Sequence, residues 1–349
     1  MIKAAIIGCG RISERHIQSI NAHPELRLAA VCDLDLQKMG RVSKEQGVNG
    51  YQNYVEMFAF EEIDLISVCV EAGYHARIVC EVAEYGKHII VEKPMALRLE
   101  DADRMIEACD RNGVKLFVVK QNRFNLPVIK LKEALDAARF GKLILGTIRL
   151  RWARHQQYFD MDKWRGTWAL DGGVFASQAS HHVDMLRWLM GPVKSVQAVG
   201  RNMLLPGIEV EDTGIAVLEF VNGALGIIEA TNAARPDNIE GSVSILGSKG
   251  TVVIGGKSMN HIDIWKFEDG WKPEDLGKYN ENPPDIYGYG HKRFYEHVVD
   301  NLNGVGSNII GGLEGRKALE LICAIYESIM QDKKVTVNFF PEKLKLGIL

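Results

Sequence analysis

Lys93 closes the apolar run Ile89-Ile90-Val91-Glu92-Lys93-Pro94, which reads as a buried strand stopped by a carboxylate, an amine and a proline. In an open α/β sheet ligands sit outside the carboxyl ends of the strands, so an amine placed there faces a ligand crevice and can exchange a proton with its occupant. Pro94 fixes its own φ and lacks a backbone donor, so the strand stops and Lys93 is held at the edge. A surface lysine capping a strand is the plainer reading and fits most Lys-Pro pairs. Upstream, Gly8-Cys9-Gly10-Arg11-Ile12-Ser13 is G-x-G-x-x-G with serine in the third place. The first glycine permits a tight turn, the second lets backbone approach a pyrophosphate, and the third position needs only a small residue. Downstream, Trp164, Arg165, Trp168, Asp171, Gly172 and Gly173 lead to Ser177, Gln178, His181 and Asp184. Spacings of four and three predict a helix on which Ser177, His181 and Asp184 share one face. A lone helical histidine is more often a satisfied core residue than a proton carrier. A metal set would recruit His181, His182 and Asp184, but adjacent histidines on a helix diverge, and no metal is expected.

The elements that position these groups alternate. Lys3 to Ile7 and Leu26 to Cys32 read as strands around a helix whose Ile12, Ile17 and Ile20 make one apolar face. The helix start aims N–H groups and a positive dipole end at phosphate. Asp33 ends the second strand about 20 residues past the glycines, where an acid takes the ribose hydroxyls of a dinucleotide; the alternative is a cap on the next helix. Leu34 rather than a cation follows, so NAD is favoured over NADP. Strands at Asp64 to Val70, Lys87 to Glu92 and Leu116 to Gln121, with helices at His75 to Tyr85 and Leu99 to Asn112, complete a doubly wound parallel sheet. Glu71 to His75 ends another strand and is expected to touch the cofactor, with His75 a helix-start residue rather than a catalyst. Cofactor contacts are thus expected at Gly8, Gly10, Arg11, Ile12, Asp33, Glu71, His75, Glu92, Lys93 and Gln121.

After Phe140-Gly141-Lys142 the pattern changes. Strands follow at Leu143 to Arg154, Val193 to Arg201, Thr213 to Phe220, Ala224 to Ala230, Gly241 to Leu246, Gly250 to Ile254 and His261 to Phe267, separated by turn signals such as Asn222-Gly223. They predict a large open, mostly antiparallel sheet covered by helices near 176–190, 289–302 and 313–330. The expected architecture is α/β: an N-terminal Rossmann domain over 1–122, and over 123–349 an α/β domain that binds substrate and oligomerises.

At 349 residues the chain exceeds one ordinary core. A net charge of −3 with no block of like charges argues against nucleic acid or an anionic membrane as partner. No apolar run approaches the ~20 residues of a membrane span. Met1 to Gly10 reads as strand plus glycine loop rather than a signal peptide. The six cysteines show no C-x-x-C, and Cys32 and Cys69 fall in buried strands, which predicts a reduced, cytoplasmic protein without disulfides.

Gly8-Cys9-Gly10, Glu92-Lys93-Pro94, Gly172-Gly173 with His181-His182-Val183-Asp184, and Trp188-Leu189-Met190-Gly191, in this order, resemble the Gfo/Idh/MocA oxidoreductases through essentially the whole chain. The resemblance implies a Rossmann domain and an open-sheet α/β domain, a nicotinamide cofactor, sugar or cyclitol substrates, and dimers or tetramers built through the sheet. It matches Lys93 to the catalytic lysine and His181 to the active-site histidine, and it implies a cis Lys93–Pro94 bond. Many members carry an aspartate four residues before the histidine. Ser177 stands there in this chain, which argues against an inositol dehydrogenase and against a relay through such an aspartate. Lys120 to Asn125, Trp164 to Gly173 and Tyr287-Gly288-Tyr289-Gly290-His291 are most similar to the UDP-2-acetamido-2-deoxyglucuronate (UDP-GlcNAcA) 3-dehydrogenases, which oxidise a sugar C3 hydroxyl in bacterial surface polysaccharide biosynthesis. Competing readings are a dehydrogenase of another sugar, UDP-N-acetylglucosamine or a cyclitol, and a non-catalytic dinucleotide- or sugar-binding regulator. An intact Lys93 and His181 count against the regulator.

Oxidising a secondary alcohol moves a hydride to the nicotinamide and a proton to a base. A free lysine, with a pKa of ~10.4, is a poor base at neutral pH. Burial and a positive nicotinamide both favour its neutral form. His181 relays the proton or is itself the base; the sequence does not order the two. Substrate contacts are expected from Lys93, Arg123, Arg165, Ser177, Gln178, His181 and Tyr289, with Trp164 and Arg165 also reaching the cofactor. Arg165, between Trp164 and Trp168, and Arg123 read a uronate carboxylate or a diphosphate, or else form structural ion pairs. Ile215-Ala216-Val217-Leu218 and Leu225-Gly226-Ile227-Ile228 put apolar residues on both faces of a sheet that helices cover on one side, which predicts a homodimer or homotetramer.

Overall fold

The structure, a computed structural model, describes residues 1–283, 285–337 and 346–347. It begins with β1 (Ile2–Ile7), α1 (Ser13–Ala22), β2 (Leu26–Cys32), α2 (Leu36–Gln46), β3 (Asn49–Tyr51), α3 (Tyr54–Phe60), β4 (Leu65–Val68), α4 (His75–Glu84), β5 (His88–Val91), α5 (Leu99–Arg111) and β6 (Leu116–Val118). The strands pair in parallel in the order β3-β2-β1-β4-β5-β6. The order reverses between β1 and β4, the switch point at which such a sheet opens a crevice at its carboxyl edge. Ala4, Ile6, Leu65, Ile66, Ile89 and Ile90 have no exposed surface, as strands covered on both faces require. Helices α2 and α3 lie outside the sequence expectation. α2 buries only Val42 and α3 only Met57, so neither contributes a broad core face. Side-chain caps mark their starts: Asp35 accepts from Gln37 N at 2.9 Å, and Asn53 from Val55 N at 2.8 Å.

The chain continues through α6 (Leu126–Asp136), β7 (Leu143–Arg151), α7 (Gln156–Asp160), α8 (Ser180–Met190), β8 (Val193–Arg201), β9 (Thr213–Phe220), β10 (Leu225–Thr231), β11 (Glu240–Gly247), β12 (Gly250–Gly255) and β13 (His261–Phe267). It closes with α9 (Gly290–Leu302), α10 (Gly312–Gln331) and β14 (Val335–Thr336). Eight strands form the second sheet in the order β13-β12-β11-β7-β10-β9-β8-β14. Its pairs are antiparallel except β7 with β10. Gly146 lets α8 lie close on β7, because a Cβ there would stand 2.7 Å from Met190 and 2.8 Å from Leu186. α10 is tied to β8 by Ala198 N donating to Ser328 Oγ at 2.9 Å.

Two units result. The first comprises Met1–Ala96, Glu100–Lys120 and His291–Arg316; the second comprises Leu97–Leu99, Gln121–Gly290 and the chain from Lys317. The helix expected near 289–302 to cover the second sheet therefore folds with the first unit. There Val118 N donates to Ile310 O at 2.8 Å, and Tyr295 meets Ser67 of β4 at 2.7 Å. Residues 123–349 thus supply part of both units, because pairing of 291–316 with β4 and β6 is a long-range contact that local pattern does not carry. On the second sheet Ala216 and Leu218 are fully buried while Ile215 and Val217 are each 53% exposed, so apolar residues do occupy both faces. Among the described residues no helix is long and apolar enough to cross a membrane.

Candidate functional site

In the first unit the glycine loop is shaped from below. Gly8 has φ 101°, and a Cβ on it would lie 2.7 Å from the Cys69 backbone at the end of β4, so glycine is required. Gly10 has nothing within 4 Å of a would-be Cβ, which leaves its backbone open at the start of α1. Asp33 Oδ2 accepts from Cys9 N at 2.6 Å and its Oδ1 from Asp35 N at 2.8 Å. The same carboxylate therefore steadies the loop and stands at the end of β2. An open glycine backbone at a helix start beside a strand-end carboxylate fits a dinucleotide: pyrophosphate on the loop, ribose hydroxyls on Asp33. Arg11 is exposed, and Ile12 and Glu71 are half-buried. Burial, then the charges of Asp33 and Cys32, pushes the Cys9 thiol up to about 12, so it stays protonated beneath the loop.

Lys93 follows β5, half-buried, and its bond to Pro94 is cis. Beneath it runs a network that the sequence did not reveal. Glu92 Oε2 accepts the N–H of Lys93 at 2.9 Å, and Oε1 lies 3.0 Å from His16 Nε2. His16 Nδ1 meets Tyr295 Oη at 2.7 Å, and that hydroxyl meets Ser67 Oγ. Burial alone would raise the Glu92 carboxyl, but the bond and charge of His16 and the charge of Lys93 overcome it and hold the pKa at about 2. Burial first, then the neighbouring His16, pushes His291 down to about 3. His16, Glu92 and His291 offer metal-ligand types whose atoms lie within 4.8 Å of one another. His16 and Glu92 are already bonded to each other, to Tyr295 and to Lys93 N, so the cluster is a buried hydrogen-bond network holding a carboxylate under the lysine backbone. A histidine inside the apolar stripe Ile12-His16-Ile20 was the one available signal.

His75 sits inside the first unit. It does start α4, but the ring is 1% exposed, with Nδ1 3.0 Å from Pro94 O and Nε2 3.0 Å from Val70 O. Burial lowers its pKa against the pull of those two carbonyls. It clamps the Lys93–Pro94 turn through both ring nitrogens.

In the second unit His181 lies on α8, 8% exposed, with Nε2 2.9 Å from Gln121 Nε2. Gln121 is thus bonded to the histidine through its amide nitrogen, and its Oε1 is buried with no partner. Ser177 is not on the helix. Gly172, at φ 80°, and Gly173, whose Cβ would strike the Glu211 carboxylate, lead into turns closed by Ala179 N donating to Val174 O at 2.7 Å. The helix starts only at Ser180, so the shared face holds for His181 and Asp184 and fails for Ser177. Gln178 is buried and accepts from Asn232 Nδ2 at 3.0 Å. Tyr289 is 47% exposed, its hydroxyl 3.4 Å from Asn282 O.

Arg123 forms the structural ion pair that the sequence left open. Its Nε and Nη2 reach Asp184 Oδ2 and Oδ1 at 2.8 and 2.7 Å, with both side chains buried, and its guanidinium lies 4.8 Å from the Trp188 ring centre. A buried fork of this kind is structural: removing one partner strands the other charge, at a cost of about 3–5 kcal/mol. It also engages Asp184, the carboxylate that a metal set with His181 and His182 would need. The Arg165 side chain is 10% exposed and stacks on Trp164 and Tyr158. Its guanidinium lies 4.4 Å from the Trp164 ring centre and 4.6 Å from that of Tyr158, while Trp168 packs edge-on against Tyr326. It donates to Asp162 Oδ2 at 2.9 Å and to Tyr158 Oη at 2.7 Å.

Residues 2–120 match the oxidoreductase family GFO_IDH_MocA, NAD-binding Rossmann fold, and residues 128–253 match the GFO/IDH/MocA C-terminal domain. The WlbA dehydrogenase of Bordetella pertussis, solved with NADH and UDP-GlcNAcA, is 39% identical and superposes with a TM-score of 0.92 over 97% of this chain and 98% of its own. WlbA of Chromobacterium violaceum, solved with the same two ligands, is 38% identical, with a TM-score of 0.89 over 97% and 96%. Among curated relatives, myo-inositol 2-dehydrogenase of Thermotoga maritima is 27% identical over 342 residues, 97% of this chain and 99% of the relative.

Proposed function

The chain belongs to the GFO/IDH/MocA family and is an NAD-dependent dehydrogenase of sugar or polyol alcohols, and we propose that its substrate is the C3 hydroxyl of UDP-GlcNAcA, on a route to bacterial surface polysaccharide. The likeness over 97% of the chain to two dehydrogenases solved with that nucleotide sugar carries the reading. The inositol relatives support a cyclitol alternative at lower identity, and Ser177 counts against it. The bound nicotinamide supplies the hydride acceptor.

The chain's own residues handle the proton and hold the reactants. Gly8, Gly10 and Asp33 seat the dinucleotide. Lys93, whose backbone Glu92 fixes, and His181 are the two groups able to take the hydroxyl proton. Gln121 is a positioning residue able to serve either state of the His181 ring: its amide nitrogen donates to an unprotonated Nε2, and after a half turn its oxygen accepts from Nε2–H. Arg165, on Trp164 and Tyr158, is suited to an oxyanion of the substrate.

The outer face of the second sheet supports a homodimer or homotetramer. Val217 faces Ile227 and Ile215 faces Val199 across strands, all at least 37% exposed. Arg151 pairs with Glu229 on the same face, at 2.6 Å. Apolar area of that kind is rarely left in water. Mixing the purified protein with NAD⁺ and UDP-GlcNAcA, UDP-N-acetylglucosamine or myo-inositol, and following NADH absorbance, tests the substrate. The highest kcat/KM is expected for UDP-GlcNAcA, and a preference for myo-inositol would overturn the assignment. A keto-acid acceptor is added so that tightly held NADH does not hide turnover.

A further inference from the structure

We propose that Arg154, acting with Arg165 across the shared ring of Tyr158, forms an oxyanion subsite in the second unit that reads the charged part of the substrate. The inference rests on the nucleotide-sugar reading and replaces Arg123, which the ion pair with Asp184 removes from that role.

Arg154 stands just past β7, where Arg154 N bonds Asn232 O at 2.9 Å. Its guanidinium lies 5.0 Å from the Trp152 ring centre and 5.2 Å from that of Tyr158. Arg165 approaches the same Tyr158 ring at 4.6 Å. Two cations over one ring repel each other, and a protein ordinarily places carboxylates between them. Here the partners of Arg154 are neutral: Nη1 donates to Ala153 O at 2.8 Å and to Asn238 Oδ1 at 3.2 Å. Its Nε is buried and has no hydrogen-bond partner. Arg235 adds a third guanidinium, donating to Arg154 O at 3.0 Å and to the carbonyls of Asn232 and Ala234. Asp162 is bonded to Arg165 at 2.9 Å. Burial lowers the pKa of Arg154, and the charge of Arg165 adds to the fall.

A positive, partly dehydrated cluster with an unfilled donor is completed by an anion. The planar fork of arginine matches a carboxylate or a phosphate, and the rings of Tyr158 and Trp152 give a sugar or base flat apolar area beside it. A neutral cyclitol would leave the cluster uncompensated, so the subsite selects charged sugars. The shared chemistry is an oxyanion, supplied by the uronate carboxylate or by the diphosphate.

The test is calorimetric titration of wild type, Arg154→Met and Arg154→Lys with UDP-GlcNAcA, UDP-N-acetylglucosamine and UDP, alongside kcat/KM and melting temperature. Arg154→Met is expected to weaken UDP-GlcNAcA at least tenfold with an unchanged melting temperature, and Arg154→Lys to recover part of the loss. A loss confined to UDP-GlcNAcA supports the proposal with the carboxylate as ligand. A loss shared with the other two supports it with the diphosphate. Unchanged binding of all three overturns it, as does an equal loss of activity on myo-inositol, which would make the arginine structural. Should wild type bind no UDP-sugar, the substrate reading fails, and titration with glucuronate and pyrophosphate still decides the subsite: weaker binding by Arg154→Met supports it, and equal binding overturns it.

Discussion

Neutralising the carboxylate beneath Lys93 is the sharpest perturbation available. Glu92→Gln keeps an oxygen for the Lys93 N–H bond of 2.9 Å but sets an amide against His16 Nε2, 3.0 Å away. The native pKa of about 2 lies below the ordinary 4.5, so the native state binds the proton less well than the unfolded chain. The associated stability is therefore fully present above about pH 4.5 and is lost as pH falls toward 2. A displacement of that size corresponds to about 3 kcal/mol, in the range of one or two charge-assisted hydrogen bonds. Urea unfolding at pH 7 is expected to show the variant less stable by about 2–3 kcal/mol, a gap that narrows as wild type is titrated below pH 4. Turnover provides a second readout. With the anion gone the Lys93 ammonium loses a favourable charge, so the limb of the pH–rate profile that belongs to it moves to lower pH while KM for NAD stays put. A variant with wild-type stability at pH 7 and an unmoved profile would refute the network as a support for Lys93.

Four further outcomes are expected. Lys93→Met should bind NAD normally by titration but lose about 10²–10⁴ in kcat, the scale of one acid–base group; a near wild-type kcat removes Lys93 from the reaction. Asp33→Ala should narrow the preference for NAD over NADP in a cofactor titration, and an unchanged ratio contradicts its place at the ribose. Burial raises Glu211 to about 7 despite the Tyr326 hydroxyl at 2.8 Å, so its contribution is complete below about pH 4.5 and lost as pH rises through 7. Glu211→Gln should therefore gain about 3 kcal/mol relative to wild type between pH 5 and 8.5 in urea melts, and an equal difference at both pH values speaks against the raised carboxyl. Val217→Asp should break the assembly into monomers by light scattering, and a monomeric wild type at micromolar concentration would dispose of the sheet-face interface.

Much of this protein is legible in its residue order because local rules govern it. Thr213–Phe220 and His261–Phe267 coincide with their expected strands, since period-2 alternation and flanking turns are written in neighbouring residues. Gly8 and Asp33 were readable for a similar reason: a tight turn and a strand-end acid are short-range demands. α2 and α3 were not among the expected elements; each buries a single side chain and is marked by a side-chain cap at its start. What tertiary structure alone decided is partnership. Arg123 and Arg165 look alike as sequence, two arginines beside aromatic or amide neighbours. One is sealed against Asp184, 61 positions away, and the other stacks on Tyr158 and Trp164 beside Asp162. His16, Glu92 and Tyr295 come from three distant stretches, and only the parallel sheet and the returning helix α9 bring them together. Ser177 lies in the turns before α8, which starts only at Ser180, and Gly173 ahead of them packs on Glu211 from a distant stretch. Side-chain type and spacing set what each group is able to do. Which partner it meets, and hence its charge, exposure and role, depends on contacts between residues far apart in the chain, where local propensity carries no information.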